Sequence, residues 1–202
     1  MIRLLLYIKH RFPFLWRWIE YWNGLIFKFR FRRRILAEAE KAIASENLPG
    51  FRFEILDLSS SKLLADLLRE QPPERLTHFK PHDFDLKSIE RQTLNPAFLM
   101  FGVFSNGALV GYFFLRCFAN RRCFVGRMID HHHDRLGIGR AMNRIMYHTA
   151  WNSGFRVFTT VSKDNEMVIR SHSRNSFAKV LQELPNHYLL IEFLRDNPAS
   201  PQ

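Results

Sequence analysis

Cysteine is almost missing from this 202-residue chain: Cys117 and Cys123 are its only two. Two thiols cannot staple a domain of this size, so a disulfide scaffold is excluded and reduced cytosolic thiols are expected. They flank Ala119-Asn120-Arg121-Arg122, a turn composition that brings them near each other across two strands. Long apolar runs are missing too. Near the N-terminus Lys9, His10, Arg11, Pro13, Arg17 and Glu20 break every candidate. A bilayer span takes about 20 mostly apolar residues and a secretory signal an unbroken apolar stretch, so neither is expected. No internal repeat or low-complexity segment is present. Acid is scarcest at the start of the chain, where residues 1–34 carry nine Lys or Arg against Glu20 alone. The rest carries 21 bases and 18 acids, so most of the net +11 belongs to the N-terminal stretch. That is the pattern of a local attachment patch and not of a basic globule.

What is abundant is aromatic and apolar. Hydrophobic residues make up 47% of the chain, and 20 Phe predict an aromatic core. The length suits one domain of about 150 residues with an appendage. Composition divides the two at residue 50: a basic, aromatic, amphipathic arm over 1–50 and an α/β (α+β) domain over 51–202. In the arm, Leu15, Trp18, Ile19, Trp22, Leu25, Ile26 and Phe29 recur at helical spacing across Phe14 to Lys28. Phe27 to Arg32 alternates apolar and basic residues, and Ile35 to Ala44 is helical in composition. In the domain, Phe51 to Leu58 alternates as a strand. Lys62 to Glu70, capped by one of Ser59 to Ser61, and Leu86 to Thr93 predict helices. Phe98 to Phe104 and Ala108 to Phe118 predict strands joined by the hairpin signal Ser105-Asn106-Gly107, and Cys123 to Ile129 a third. After a helix over Met142 to Ala150 come a strand over Phe155 to Val161, a short helix over Lys163 to Arg174, and closing strands over Phe177 to Leu181 and Tyr188 to Leu194. The order is that of a mixed α/β domain with a central antiparallel meander.

Between the third strand and the following helix stands Asp134-Arg135-Leu136-Gly137-Ile138-Gly139-Arg140-Ala141. Gly137 and Gly139 let the backbone come close to a ligand. The free N–H groups of a first helical turn, reinforced by the helix dipole, favour an anion. A pyrophosphate is the natural guest.

This order and these residues resemble the GNAT family of acetyl-CoA-dependent acyltransferases. The resemblance covers roughly residues 51–195 and is most specific from Val125 to Phe177. The family signature, Gln/Arg-x-x-Gly-x-Gly/Ala opening a helix, falls on Asp134 to Gly139. Asp134 stands where Gln or Arg is usual, and its carboxylate is expected to cap the helix or to place Arg135. A second family segment falls on Val161-Ser162-Lys163-Asp164-Asn165 and on His172-Ser173-Arg174-Asn175-Ser176-Phe177. Asn165 matches an Asn that contacts the pantetheine arm, and Ser176 replaces a usual Gly. His172 stands where many members place a Tyr that protonates the departing thiolate. Phe79-Lys80-Pro81-His82-Asp83-Phe84 is similar to a segment that shapes the acceptor pocket, so Phe79 and His82 are substrate-binding candidates. The resemblance implies a GNAT-like, largely antiparallel sheet flanked by helices, with acetyl-CoA as co-substrate. It would be held by Met128, Ile129, Asp134, Arg135, Leu136, Gly137, Ile138, Gly139, Arg140 and Asn165.

The implied reaction is direct acyl transfer from a thioester to an amine, helped mainly by positioning. A backbone N–H near Met128 or Ile129 would polarise the thioester oxygen. Glu90, Asp130, His82 and His131 are candidate bases, and His172, with an unperturbed pKa of about 6.5, is a candidate acid. Each has a plainer reading: Asp130 as a strand end, Glu90 on a solvated helix face, His82 satisfied by a carbonyl, His172 as packing. His131-His132-His133 does not converge on one ion if neighbours point to opposite sides, so no metal is expected. The thiols lack a matched base, and no covalent thiol mechanism is expected.

The arm fits an interfacial helix on an anionic membrane surface, each base adding about 1 kcal/mol. The expected activity is that of an N-acetyltransferase acting on a membrane-proximal or glycan-precursor amino sugar, cytoplasmic or peripheral on the inner membrane face. Two alternatives stand beside it. The apolar face packs on the domain or on the second subunit of a homodimer, or the chain is a GNAT-like binding module without turnover, attached to membrane or nucleic acid through the arm. Stacking on single-stranded nucleic acid fits less well, because the basic excess stops near residue 34.

Overall fold

The computed structural model describes residues 13–173 and 175–195, with backbone alone for 13–17, 167, 171 and 172. The first twelve residues of the arm therefore lie outside the described part. The chain opens on helices α1 (Pro13–Arg30) and α2 (Arg32–Ser45). Phe31 joins them: its N–H donates to Phe27 O at 2.9 Å and its carbonyl accepts from Ile35 N at 3.0 Å. Helical bonding thus continues through the alternating run. On a helix that alternation sends Phe27 and Phe31 to one side and Phe29 to the other. The first two are buried against Phe155, and Phe29 is 80% exposed.

Strand β1 (Arg52–Ile55) follows and is shorter than its sequence pattern, because Leu58 turns into a 3-10 segment. Asp57 caps that turn, its carboxylate accepting from Ser59 N at 2.9 Å, while Ser60, the N-cap residue of the helix that follows, makes no side-chain cap bond. Next come α3 (Ser61–Glu70), the one-turn α4 (Pro73–Leu76), α5 (Leu86–Thr93), β2 (Phe98–Ser105), β3 (Ala108–Cys117) and β4 (Arg122–Ile129). A 3-10 turn over His131–His133 leads into α6 (Ile138–Asn152), β5 (Arg156–Ser162), α7 (Glu166–Ser173), β6 (Ala178–Leu184) and β7 (Tyr188–Phe193).

The strands form one sheet of seven in the order β1-β2-β3-β4-β5-β7-β6. Every pairing is antiparallel except β4 with β5, which α6 connects as a crossover. Because strand side chains alternate, the sheet buries two apolar layers. Phe101, Phe113, Val125 and Val157 pack with Ile35, Ala39, Met142 and Ile145 of α2 and α6. Met100, Tyr112, Phe114 and Met128 pack with Leu64, Leu68 and Ile89 of α3 and α5. The first layer also holds Phe27, Phe31 and Ala42, so the apolar core runs across residue 50. At the outer edge β6 is exposed on both faces, and its register with β7 shifts between Val180 and Gln182.

Helix α1 is fastened by polar contacts as well. Asn23 Nδ2 donates to Cys117 O and its Oδ1 accepts from Ala119 N, each at 2.9 Å, while Glu20 pairs with Arg116. Cys117 and Cys123 face each other as free, buried thiols, Sγ to Sγ 3.4 Å. Among the described residues no helix is long and apolar enough to cross a membrane.

Candidate active site

The parallel pair β4–β5 is short. Its register runs only from Arg122 beside Arg156 to Phe124 beside Phe158, and the strands then part into a V. The N–H of Asp130 donates to Val110 O on β3. By strand alternation the peptide groups of Met128 and Gly126 also face β3, while those of Arg127 and Ile129 face the open cleft. Of the two candidate donors, Ile129 is therefore the one whose N–H faces the cleft. Met128 presents no N–H to the cleft, and its side chain is buried in the second apolar layer.

The turn closing the wide end is braced from beneath by α3 and α4. Gln71 Nε2 donates to Asp130 Oδ1 at 3.0 Å, and Gln71 Oε1 accepts from His131 N at 3.2 Å. His133 Nδ1 donates to Asp130 Oδ2 at 2.8 Å. Burial alone would raise the Asp130 pKa, but these bonds outweigh it and hold the carboxyl below the usual range. Both oxygens are occupied in shaping the turn, which makes Asp130 a poor base. Asp134 does not cap α6. It forms a two-pronged pair with Arg75, at 2.7 and 2.9 Å, which keeps its pKa low. The same guanidinium donates to Ile129 O at 3.2 Å, tying turn to strand.

Arg135 takes a left-handed φ of 64°, and Gly137, the N-cap of α6, one of 84°. No side chain caps this helix. The N–H groups of Arg140 and Ala141 both return to Gly137 O, at 3.0 and 3.2 Å, so the N–H groups of Ile138 and Gly139 are the ones left at the helix mouth. Ile138 is buried and anchors the turn, whereas Leu136 and Arg140 are exposed. A Cβ on Gly139 would stand 3.1 Å from Arg127 Nη1, so the glycine leaves room for that guanidinium. Arg127, Arg75 and Gln71 have no counterpart among the sequence candidates. Arg127 alone leaves a local trace, being an arginine in the inward-facing row Cys123, Val125, Arg127, Ile129.

Opposite, Asn165 Oδ1 accepts from Val168 N at 3.2 Å and so caps α7. His172 lies on α7, but its side chain is outside the described part. Tyr147 of α6 receives a bond from Asn175 Nδ2 at 3.3 Å, and burial drives its pKa up.

On the other side of the sheet, Phe79 packs edge-on to Tyr112 and lies over Gly126 of β4. His82 is enclosed by Phe84, Phe98 and Tyr112. Burial lowers its pKa, so the ring is neutral. Nδ1–H donates to Asp83 O at 2.7 Å, and Nε2 accepts from Tyr112 OH at 3.0 Å. Both nitrogens are thus committed to holding the loop. Glu90 stands on α5, which packs chiefly on α3 and β2. Among the described residues no cluster of His, Cys, Asp or Glu could hold a metal ion.

No protein-family model matches this chain, and no curated protein matches it. Solved structures do. The GNAT domain of S. lividans PAT superposes with a TM-score of 0.62 at 14% identity, over 71% of this chain and 89% of that one. PaiA N-acetyltransferase from Thermoplasma acidophilum, in complex with coenzyme A, gives 0.61 at 14% identity over 71% and 98%. Ribosomal-protein-S5-alanine acetyltransferase from Vibrio fischeri gives 0.62 at 14% identity over 77% and 98%. Strand order, the parted β4–β5 pair and these likenesses agree: the chain has the GNAT acetyltransferase fold.

Proposed function

We propose that this protein is an acetyl-CoA-dependent N-acyltransferase acting on an amine held close to an anionic membrane, an amino sugar of a lipid-linked or surface-glycan precursor being the acceptor class. The observation that carries the reading is the V between β4 and β5, with the cleft-facing N–H of Ile129 leading to the uncapped N-terminus of α6. Acetyl-CoA supplies the activated acyl group. An extended pantetheine arm suits the unpaired edge of β4, as an added strand would. The N–H groups of Ile138 and Gly139 face its diphosphate, and Ile129 N–H polarises the thioester oxygen. Asp130 and His82 are committed elsewhere and Glu90 stands on α5, so the proton of an ammonium acceptor leaves to solvent or to His131, whose Nδ1 lies 3.1 Å from Asp130 Oδ1. His172 is the proposed acid for the departing thiolate.

The membrane half rests on α1. Opposite its docked face, Trp18, Tyr21, Trp22, Ile26 and Phe29 form an exposed stripe beside exposed Lys28, Arg30, Arg32 and Arg33. Such a stripe suits the headgroup region of an anionic bilayer. Calorimetry with acetyl-CoA tests the first half. Binding by the full chain, lost in Gly139→Glu, is expected, and a folded protein that binds nothing removes the enzyme reading. Binding without transfer to any amine leaves a cofactor-binding module. Flotation with neutral and anionic vesicles tests the second half. Equal behaviour of the wild type and Trp22→Glu/Phe29→Glu removes the membrane claim.

A further inference from the structure

Among the described residues Arg127 has no counter-ion, and it stands in a place that should repel a cation. Its side chain leaves β4 on the α6 side, and Asn143 Oδ1 takes its Nε–H at 2.8 Å. Among the described residues no carboxylate or carbonyl takes the two terminal nitrogens, which carry four of the five N–H donors of a guanidinium. Protein surrounds the group closely, and burial lowers its pKa, partly opposed by the Tyr147 phenol. An arginine nevertheless stays charged in proteins. Its Nη1 lies 3.1 Å from where a Gly139 Cβ would be, beside the first turn of α6 and its positive dipole end. Two positive centres side by side, one of them buried, are costly unless an anion sits between them. The residue keeps some solvent access, as a group facing a cleft would.

We infer that Arg127 is a donor-binding residue whose guanidinium, with the N–H groups of Ile138 and Gly139, clamps the diphosphate of the acyl donor. This rests on the donor reading of the cleft. The clamp fixes charge where backbone amides alone would offer only partial charge, and Asn143 sets the direction in which the fork opens. Asp134 does not oppose it, because Arg75 neutralises that carboxylate.

The test compares the wild type, Arg127→Met and Arg127→Lys in the full chain, by calorimetry with coenzyme A and with pantetheine and by thermal shift with inorganic diphosphate. Loss of a charged bond pair should weaken coenzyme A binding about 10- to 100-fold in Arg127→Met. Pantetheine, which lacks the diphosphate, should bind both proteins equally. The unliganded Arg127→Met should melt no lower than the wild type, since removing an uncompensated buried charge relieves the fold. If that variant does not fold, Arg127→Lys should lose several-fold in coenzyme A affinity with pantetheine unaffected. Unchanged coenzyme A affinity, or equal losses for both ligands, overturns the inference. A wild type that ignores coenzyme A yet gains Arg127-dependent stability from diphosphate removes the donor reading and keeps the anion site. One that responds to neither removes both.

Discussion

Replacing Gly137 by alanine should destabilise the unliganded protein without any clash. A Cβ there meets only Leu48 Cδ1, at 3.6 Å, an ordinary contact. The cost is conformational, because Gly137 sits at φ +84°. Holding an alanine in the left-handed region costs about 1–2 kcal/mol, offset by about 0.4–1 kcal/mol from the stiffer unfolded chain. A net loss of about 1 kcal/mol lowers the melting temperature of a chain this long by about 2–4 °C. Asparagine tolerates the region better, so Gly137→Asn should lose about half as much. Gly139→Ala should behave in the opposite way. Its backbone is helical, and alanine gains up to about 1 kcal/mol over glycine in a helix. Its Cβ presses the far ends of two side chains, Arg127 Nη1 at 3.1 Å and Ile129 Cδ1 at 3.3 Å, both of which can give by a few tenths of an ångström. Urea unfolding without ligand should therefore rank Gly137→Ala below Gly137→Asn, both below the wild type, and Gly139→Ala level with it or above. A Gly137→Ala protein as stable as the wild type would refute the left-handed turn, and a Gly139→Ala protein at the bottom of the series would refute the packing around Arg127.

Stability should also fall as pH drops through about 6.5, because burial depresses the folded-state pKa of His82 and the unfolded chain takes up the proton first. The contribution is whole above the unfolded value and shrinks below it. His82→Gln, which keeps an acceptor for Tyr112, should flatten this part of the profile, and identical pH slopes in urea titrations at pH 7.5 and 5.5 would count against it. Burial, with Cys123 beside it, pushes the Cys117 thiol well above its ordinary range. Neither thiol should react with a disulfide reagent in the native protein at pH 8, and both should react in urea; a native titre of one or two would show the strand pair to be open.

Patterns confined to neighbouring residues were legible in the sequence. Leu86–Thr93 has the bounds expected of it, Asp85 capping its start, and Asn106-Gly107, both left-handed, makes the hairpin its composition announces. The glycine turn and the helix after it follow from the same local rules. Contacts between distant segments left no such trace. Asp134 finds Arg75, and Asp130 finds Gln71, across 59 residues of sequence, so neither carboxylate could be given its role from its surroundings in the chain. The two faces of α1 are an intermediate case. Apolar spacing marks the helix, but Asn23 and Phe27 decide which side docks, and that depends on a strand end nearly a hundred residues later.

The rim of the sheet bears on how this protein keeps to itself. Unpaired backbone at a sheet edge invites strands from other molecules, and folded proteins discourage it with short strands, charges and bulges. Here β1 is only four residues long and carries Arg52 and Glu54 as an ion pair. At the far side β6 displays Val180 and Leu181 to solvent, a sticky pair taken alone. Lys179 and Glu183 flank them, and the register break after Val180 distorts the line a foreign strand would have to follow. Straightening that break while replacing Lys179 and Glu183 by threonine would make the rim a template, so the irregularity guards against runaway growth of the sheet.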